Sequence, residues 1–132
     1  MEKFKTRYNK LNSAQKEAVD TIDGPLLVVA GPGTGKTELL SMRAANILRA
    51  TDTLPENILC LTFTDSGANA MRARLASIIG TDAYKVAIQT FHSFGTEIIN
   101  HHSEYFYRGA DFSPADEVAT YSILTDIFEE LR

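Results

Sequence analysis

Residues 26–40 read LLVVAGPGTGKTELL. An apolar run, Leu26 to Ala30, stops at a glycine-rich turn, and a lysine and a threonine follow at once. A short apolar run without alternation predicts a strand in a parallel sheet covered on both faces. From about Lys36 to Ala50 the spacing of Leu39, Leu40, Ala44, Ile47 and Leu48 predicts a helix with those residues inward. Strand, glycine turn and helix together are the context that a phosphate-binding loop requires.

Ala30 to Thr37, AGPGTGKT, fits that loop pattern with Ala30 in the first glycine position. Gly31, Gly33 and Gly35, separated by Pro32 and Thr34, let the backbone turn its N–H groups toward phosphate oxygens. The helix starting at Lys36 adds the positive end of its dipole. The Lys36 ammonium would reach the β and γ phosphates, and the Thr37 hydroxyl would ligate magnesium. These two are the candidate catalytic residues. Glu38 closes the set of nucleotide contacts expected from the loop. Upstream, Gln15 has an amide able to pair with the adenine edge and so select ATP. It also sits three residues after Asn12, as in a helix capping box, and the two roles are compatible.

The chain has 132 residues, a net charge of -4 and a pI near 5.3, so it is not basic as a whole. Residues 1–10 carry Lys3, Lys5, Arg7 and Lys10 against Glu2, whereas residues 103–132 carry seven acids against two arginines. Contact with nucleic acid must then be local. The single cysteine, Cys60, excludes an intrachain disulfide and suits a reducing compartment. The N-terminus has no apolar segment of signal-peptide type, and no apolar run approaches membrane-spanning length. The expectation is a soluble, cytoplasmic chain with no membrane contact.

Along the chain, LNSAQKEAVDTI predicts a helix capped by Asn12, and Gly24–Pro25 ends it. NILCLTF (57–63) and YKVAIQTF (84–91) predict two more buried strands. SGANAMRARLASIIG predicts a helix with Ala68, Met71, Leu75 and Ile78 inward, ended by Gly80. HSFGTEIINHH predicts another helix. After residue 103 a loop, SEYFYRGADFSP, leads to a last helix expected to begin at Ser113 and Pro114 and to run to the end uncapped. The fold class is α/β: a partial parallel sheet of three strands flanked by helices, with a C-terminal helical piece.

Ligands of such sheets bind beyond the C-terminal strand ends. Thr62 and Thr64, then Thr90 and Ser93, offer hydroxyls there. Phe63, Phe91, His92 and Phe94 offer rings. Hydroxyls and rings together suit single-stranded nucleic acid. Alternatively, Phe63 and Phe91 fill core and the threonines merely favour strands. His101 and His102 are adjacent and cannot share a helix face as a metal pair, and Cys60 reads as core. Arg72 and Arg74 read either as phosphate contacts or as a solvated helix face.

Taken in order, LNSAQKEAV, AGPGTGKT, LTFTDSGANAMRARL and TFHSF resemble the Q motif and motifs I, Ia and Ib of superfamily 1 DNA helicases of the UvrD/Rep/PcrA type. The resemblance implies a RecA-like P-loop NTPase fold, with residues 1–102 as the N-terminal part of the ATP-binding motor domain. Residues 103–132 would begin an inserted helical subdomain. It implies an ATP-dependent 3′-to-5′ helicase moving on single-stranded DNA, with ATP and magnesium as cofactors and a place in DNA repair. Gln15 would then read adenine, and Gly33, Gly35, Lys36 and Thr37 would hold triphosphate and metal. Thr62, Phe63, Thr64, Thr90, Phe91 and His92 would line the DNA path.

Two departures bear on this. The family usually reads Thr-Asn-Lys-Ala where this chain has Thr64, Asp65, Ser66 and Gly67, and often places Arg where this chain has Glu38. No Asp-Glu pair follows an apolar strand at the right place, and no second motor domain with arginine fingers is present. The chain should therefore bind nucleotide without turnover, bind DNA weakly, and need the remainder of a helicase chain as partner. Two other readings remain open: a helicase-like module that binds ATP or a partner without unwinding, and a small P-loop kinase or NTPase that uses Asp65.

Overall fold

The structure is a computed structural model that describes residues 2–106 and 115–131. The chain divides into two compact units, Met1–Phe94 and Gly95–Arg132. In the first, α1 (Glu2–Tyr8) and α2 (Ser13–Asp20) precede α3 (Lys36–Ala50). A 3₁₀ turn at Pro55–Asn57 leads into β1 (Leu59–Thr62), and α4 (Asp65–Ile79) crosses to β2 (Ala87–Thr90) through a second 3₁₀ turn, Gly80–Tyr84. Helix α5 (Phe91–His101) starts at the end of β2 and runs into the second unit. There Ser103–Tyr105 form a 3₁₀ turn and α6 (Glu117–Glu130) follows.

The two strands pair in parallel, with Leu59 opposite Ala87, Cys60 opposite Ile88, Leu61 opposite Gln89 and Thr62 opposite Thr90. One core gathers behind them. Phe4 comes from α1, Ala18 and Val19 from α2, Leu39, Met42 and Ala45 from α3, and Met71, Leu75 and Ile78 from α4. The helical periodicity of α4 places Ala68, Met71, Leu75 and Ile78 on one stripe, and all four are buried. Asn46 is buried among them and donates to the Val19 carbonyl at 3.0 Å, which ties α3 to the end of α2. Cys60 is half-buried against this core, and burial pushes its thiol up from the ordinary range.

Two expectations change, and one further element appears. The sheet has two strands among the described residues, because Leu26–Ala30 forms no strand. Leu27 and Val29 are 88% and 93% exposed, and only Leu26 packs on the core. A strand exists through its neighbours' N–H and C=O groups, and no described segment supplies them to this one. The basic N-terminus, to which the sequence reading assigned no element, forms α1. Phe4 docks it in the core, stacked with Tyr8 at 5.8 Å and covered by the Arg49 guanidinium at 4.8 Å. The last helix starts at Glu117, because the Asp116 carboxylate accepts from the Ala119 N–H at 2.8 Å and caps it there. Ser113 and Pro114 lie outside the described residues.

Leu75→Ala should cost about 2–5 kcal/mol of unfolding free energy, since the site is fully enclosed. Val29→Asp should change it by less than about 0.5 kcal/mol. Urea denaturation measures both, and comparable losses would place the 26–30 segment in a buried sheet after all.

Candidate functional site

Two clusters stand at helix starts. The first is the phosphate loop. Gly33 and Gly35 have φ of 72° and 84°, left-handed values that an L side chain adopts at a cost, and Gly35 is the N-cap of α3. Asn12, Thr64 and Asp116 cap α2, α4 and α6 with side-chain hydrogen bonds, whereas no side chain caps α3. Its first N–H groups therefore point into the loop with no side chain bonded to them, the arrangement that receives an anion.

Lys36 curls back over the loop. Its Nζ donates to the Gly31 carbonyl at 2.7 Å and approaches that of Ala30 at 3.4 Å. Thr34 Oγ1 also donates to the Gly31 carbonyl, at 2.8 Å. The ammonium is thus held at the loop mouth by exposed carbonyl contacts that a negatively charged phosphate can replace. Thr37 lies in the first turn of α3, half-buried, and Pro32 and Gly33 are exposed at the loop tip.

Gln15 is bonded at both ends of its amide. Its Oε1 accepts from the Asn12 N–H at 3.0 Å, while Asn12 Oδ1 accepts from the Gln15 N–H at 2.9 Å, so the capping box is present. Its Nε2 donates to the Thr34 carbonyl at 3.2 Å. The capped helix therefore holds Gln15 against the loop, where a Cβ on Gly35 would stand 3.8 Å from that nitrogen.

Glu38 has partners that the sequence did not disclose. Arg7 Nη1 donates to both its carboxylate oxygens, at 2.9 and 3.1 Å, and Arg74 Nη1 lies 3.5 Å from Oε2. Arg7 Nη2 also donates to Ser77 Oγ at 2.9 Å. The acid beside the loop is thereby neutralised by two guanidinium groups. No spacing in the sequence links residue 7 to residue 38, and only the bias of residues 1–10 toward lysine and arginine hinted at it. Arg74 is committed to this cluster, and Arg72 to the sheet, donating to the Ile88 carbonyl at 2.6 Å.

The second cluster lies at the C-terminal ends of β1 and β2. Because Thr62 and Thr90 are register partners, Phe63 and Phe91 leave neighbouring strands at the same level. Both rings are exposed, 79% and 58%, so neither fills core. Thr64 and Thr90 serve the backbone. Thr64 Oγ1 accepts from the Gly67 N–H at 3.1 Å as the cap of α4. Thr90 is buried, and its Oγ1 accepts from the Ser93 N–H at 3.1 Å. His92 is exposed in the first turn of α5. Asp65 opens α4, where the helix dipole favours an acid. His101 Nδ1 sits 3.0 Å from the Glu97 carbonyl, and no group of potential metal ligands occurs among the described residues.

Gly67 lets α4 approach β1 closely, since a Cβ there would stand 2.6 Å from Thr62 Oγ1 and 3.1 Å from Thr64 Oγ1. Gly67→Ala should lower stability by about 1–3 kcal/mol through that overlap. Gly95→Ala, in open space within α5, should raise it by up to about 1 kcal/mol. Equal effects of the two substitutions in a denaturation series would remove the close approach from the account.

The family described as UvrD/REP helicase N-terminal domain matches residues 11–132. The chain is 39% identical over 120 residues to the ATP-dependent DNA helicase PcrA of Bacillus subtilis, 91% of this chain and 16% of that protein. It is 37% identical over 119 residues to the PcrA of Staphylococcus epidermidis (strain RP62A), 90% of this chain and 16% of that protein. The PcrA of Staphylococcus aureus (strain Mu50) is 35% identical over 121 residues, 92% of this chain and 17% of the relative. The chain thus spans about a sixth of the length of these curated relatives. The loop, the Gln15 box and the strand-end motifs all fall inside the matched range, and the chain belongs to the UvrD/REP helicase family, corresponding to its N-terminal domain.

Proposed function

We propose that this chain is the ATP-binding N-terminal part of a DNA helicase that moves 3′ to 5′ along single-stranded DNA, built on a RecA-like P-loop NTPase fold. The observation that carries it is the loop itself: left-handed Gly33 and Gly35, a helix start with no capping side chain, and Lys36 folded over the mouth. These donors fit a magnesium-bound nucleoside triphosphate. Backbone N–H groups and Lys36 would hold the phosphates, and Thr37 would supply a metal ligand. Bound ATP supplies the phosphoryl group whose transfer drives movement along DNA. In this chain Lys36 neutralises phosphate charge, and Gln15 would orient the base once its amide exchanges Thr34 for adenine. Residues 1–102 belong to the motor domain in this reading, and residues 103–132 open an inserted helical subdomain. A cytoplasmic place, the remainder of a helicase chain as partner and a repair role go with it.

The pairing of Glu38 with Arg7 and Arg74 also bears on the alternative of a module unable to handle a triphosphate. An acid neutralised on both oxygens repels phosphate far less than a free one. Asp65, the metal-linked acid of the kinase alternative, opens α4 beside the exposed Phe63, on the side proposed for DNA.

Magnesium with ATP or ADP should raise the melting temperature more than guanine nucleotides do, and Lys36→Ala should remove most of that shift. Gln15→Ala should erase the base preference and keep phosphate binding. Phosphate release by residues 1–132 alone should stay near background, because phosphoryl transfer unaided by an arginine finger is slower by about a thousandfold or more. Equal shifts with GTP would dismiss the adenine role. Steady, Lys36-dependent turnover would show a complete enzyme.

Single-stranded DNA should bind weakly and with strong salt sensitivity, through Phe63, Phe91 and His92 with the adjoining Thr62, Thr64 and Thr90 backbone. Asp65→Asn with Ser66→Lys should tighten it by replacing an anion with a cation. Fluorescence anisotropy that shows no gain would separate Asp65 from the DNA.

A further inference from the structure

Beside the phosphate loop lies an open cleft of about 860 Å³, walled by α1, the Gln15 turn and the first turn of α3. Gln15 and Gly35 line it; Gly35 is the last glycine of the loop and Gln15 donates to the Thr34 carbonyl, so the cleft adjoins the α3 end of the loop. Lys3, Arg7 and Lys10 face it, against Glu2 and Glu38. Since Glu38 is committed to its two arginines, the cleft is cationic in balance.

Arg7 has an unusual presentation there. In the plane of its guanidinium, one terminal nitrogen is used by Glu38 and the other by Ser77. Contacts in that plane spend the hydrogen-bonding edge and leave the flat face, and the side chain is still 36% exposed. A guanidinium fixed by its edge on the wall of a cleft offers a stacking surface for a planar aromatic group. Ion pairing this exposed contributes little to stability. Nor does α1 need it for docking, because Phe4 is buried in the core and Tyr8 donates to Asp20 at the other end of the helix.

We propose that Arg7, held edge-on by Glu38 and Ser77, is a positioning residue for the nucleoside end of the bound nucleotide, its face stacking on the base in the cleft between α1 and α3. This rests on the ATP-binding reading above. It also gives Glu38 a role: the acid orients the stacking cation and does not meet the triphosphate. Arg7 precedes the range matched by the family, so the assignment comes from the geometry of this chain.

The test measures calorimetric affinity of the 132-residue chain for magnesium–ATP and for magnesium–tripolyphosphate, in the wild type, Arg7→Ala, Arg7→Lys, Glu38→Gln and Lys36→Ala. Arg7→Ala should weaken ATP about tenfold while tripolyphosphate changes less than about twofold, because the stacking contact is lost whereas Arg74 still pairs with Glu38 beside the loop. Arg7→Lys should fail to restore ATP, since it keeps charge without a planar face. Glu38→Gln should weaken ATP in the same selective way by releasing the edge. A merely structural arginine would weaken both ligands together, and that result overturns the proposal. So does unchanged ATP affinity in Arg7→Ala, or full recovery in Arg7→Lys. Wild-type chain that binds neither ligand, or binds both regardless of Lys36→Ala, overturns the ATP-binding reading itself and this inference with it.

Discussion

Met42 and Leu75 have no exposed surface, and their burial locks α3 against α4. Both clusters hang on that contact. Helix α3 begins at the phosphate loop, and α4 begins where β1 ends. The same pair of helices brings Arg74 and Ser77, in the third and fourth turns of α4, to Glu38 in the first turn of α3. An empty space at Leu75 costs about 2–5 kcal/mol, whereas an exposed ion pair is worth about 0–1 kcal/mol. Packing therefore sets the geometry, and the ion pairs follow from it.

The charge pattern near the loop is consistent with this order. An acid in the first turn of α3 stabilises the helix start but is poorly placed beside a triphosphate. The fold resolves the conflict by surrounding Glu38 with Arg7 from α1 and Arg74 from α4. Helix α1 can deliver Arg7 because apolar contacts already hold it: Phe4 in the core, Tyr8 stacked on Phe4, and Arg49 over the Phe4 ring.

The elements that the sequence disclosed are those whose signals are local. Asn12 and Gln15 form the predicted capping box, and Lys36–Ala50 is a helix over the expected range. The α4 stripe is buried as its periodicity requires. The phosphate loop was legible because glycines at fixed spacing state a backbone requirement directly, and two of them adopt left-handed φ. By contrast, LLVVA reads as a strand by composition yet pairs with nothing described, since pairing depends on a neighbour and not on the segment. Phe63 and Phe91 were ambiguous for a related reason: ring exposure depends on what packs at the strand ends, and here nothing among the described residues covers them fully.

By itself the sequence determined the α/β class, the loop, the Asn12 cap of α2 and the order of the family's motifs, because each is written in residues a few positions apart. The tertiary structure alone decided the partners of Glu38, the internal use of Arg72, the exposure of the two phenylalanines and the register that sets Thr62 against Thr90. Contacts between residues 7 and 38, or 62 and 90, close long loops of chain. Their existence depends on which surfaces bury together, a property of the packed core that no local pattern encodes.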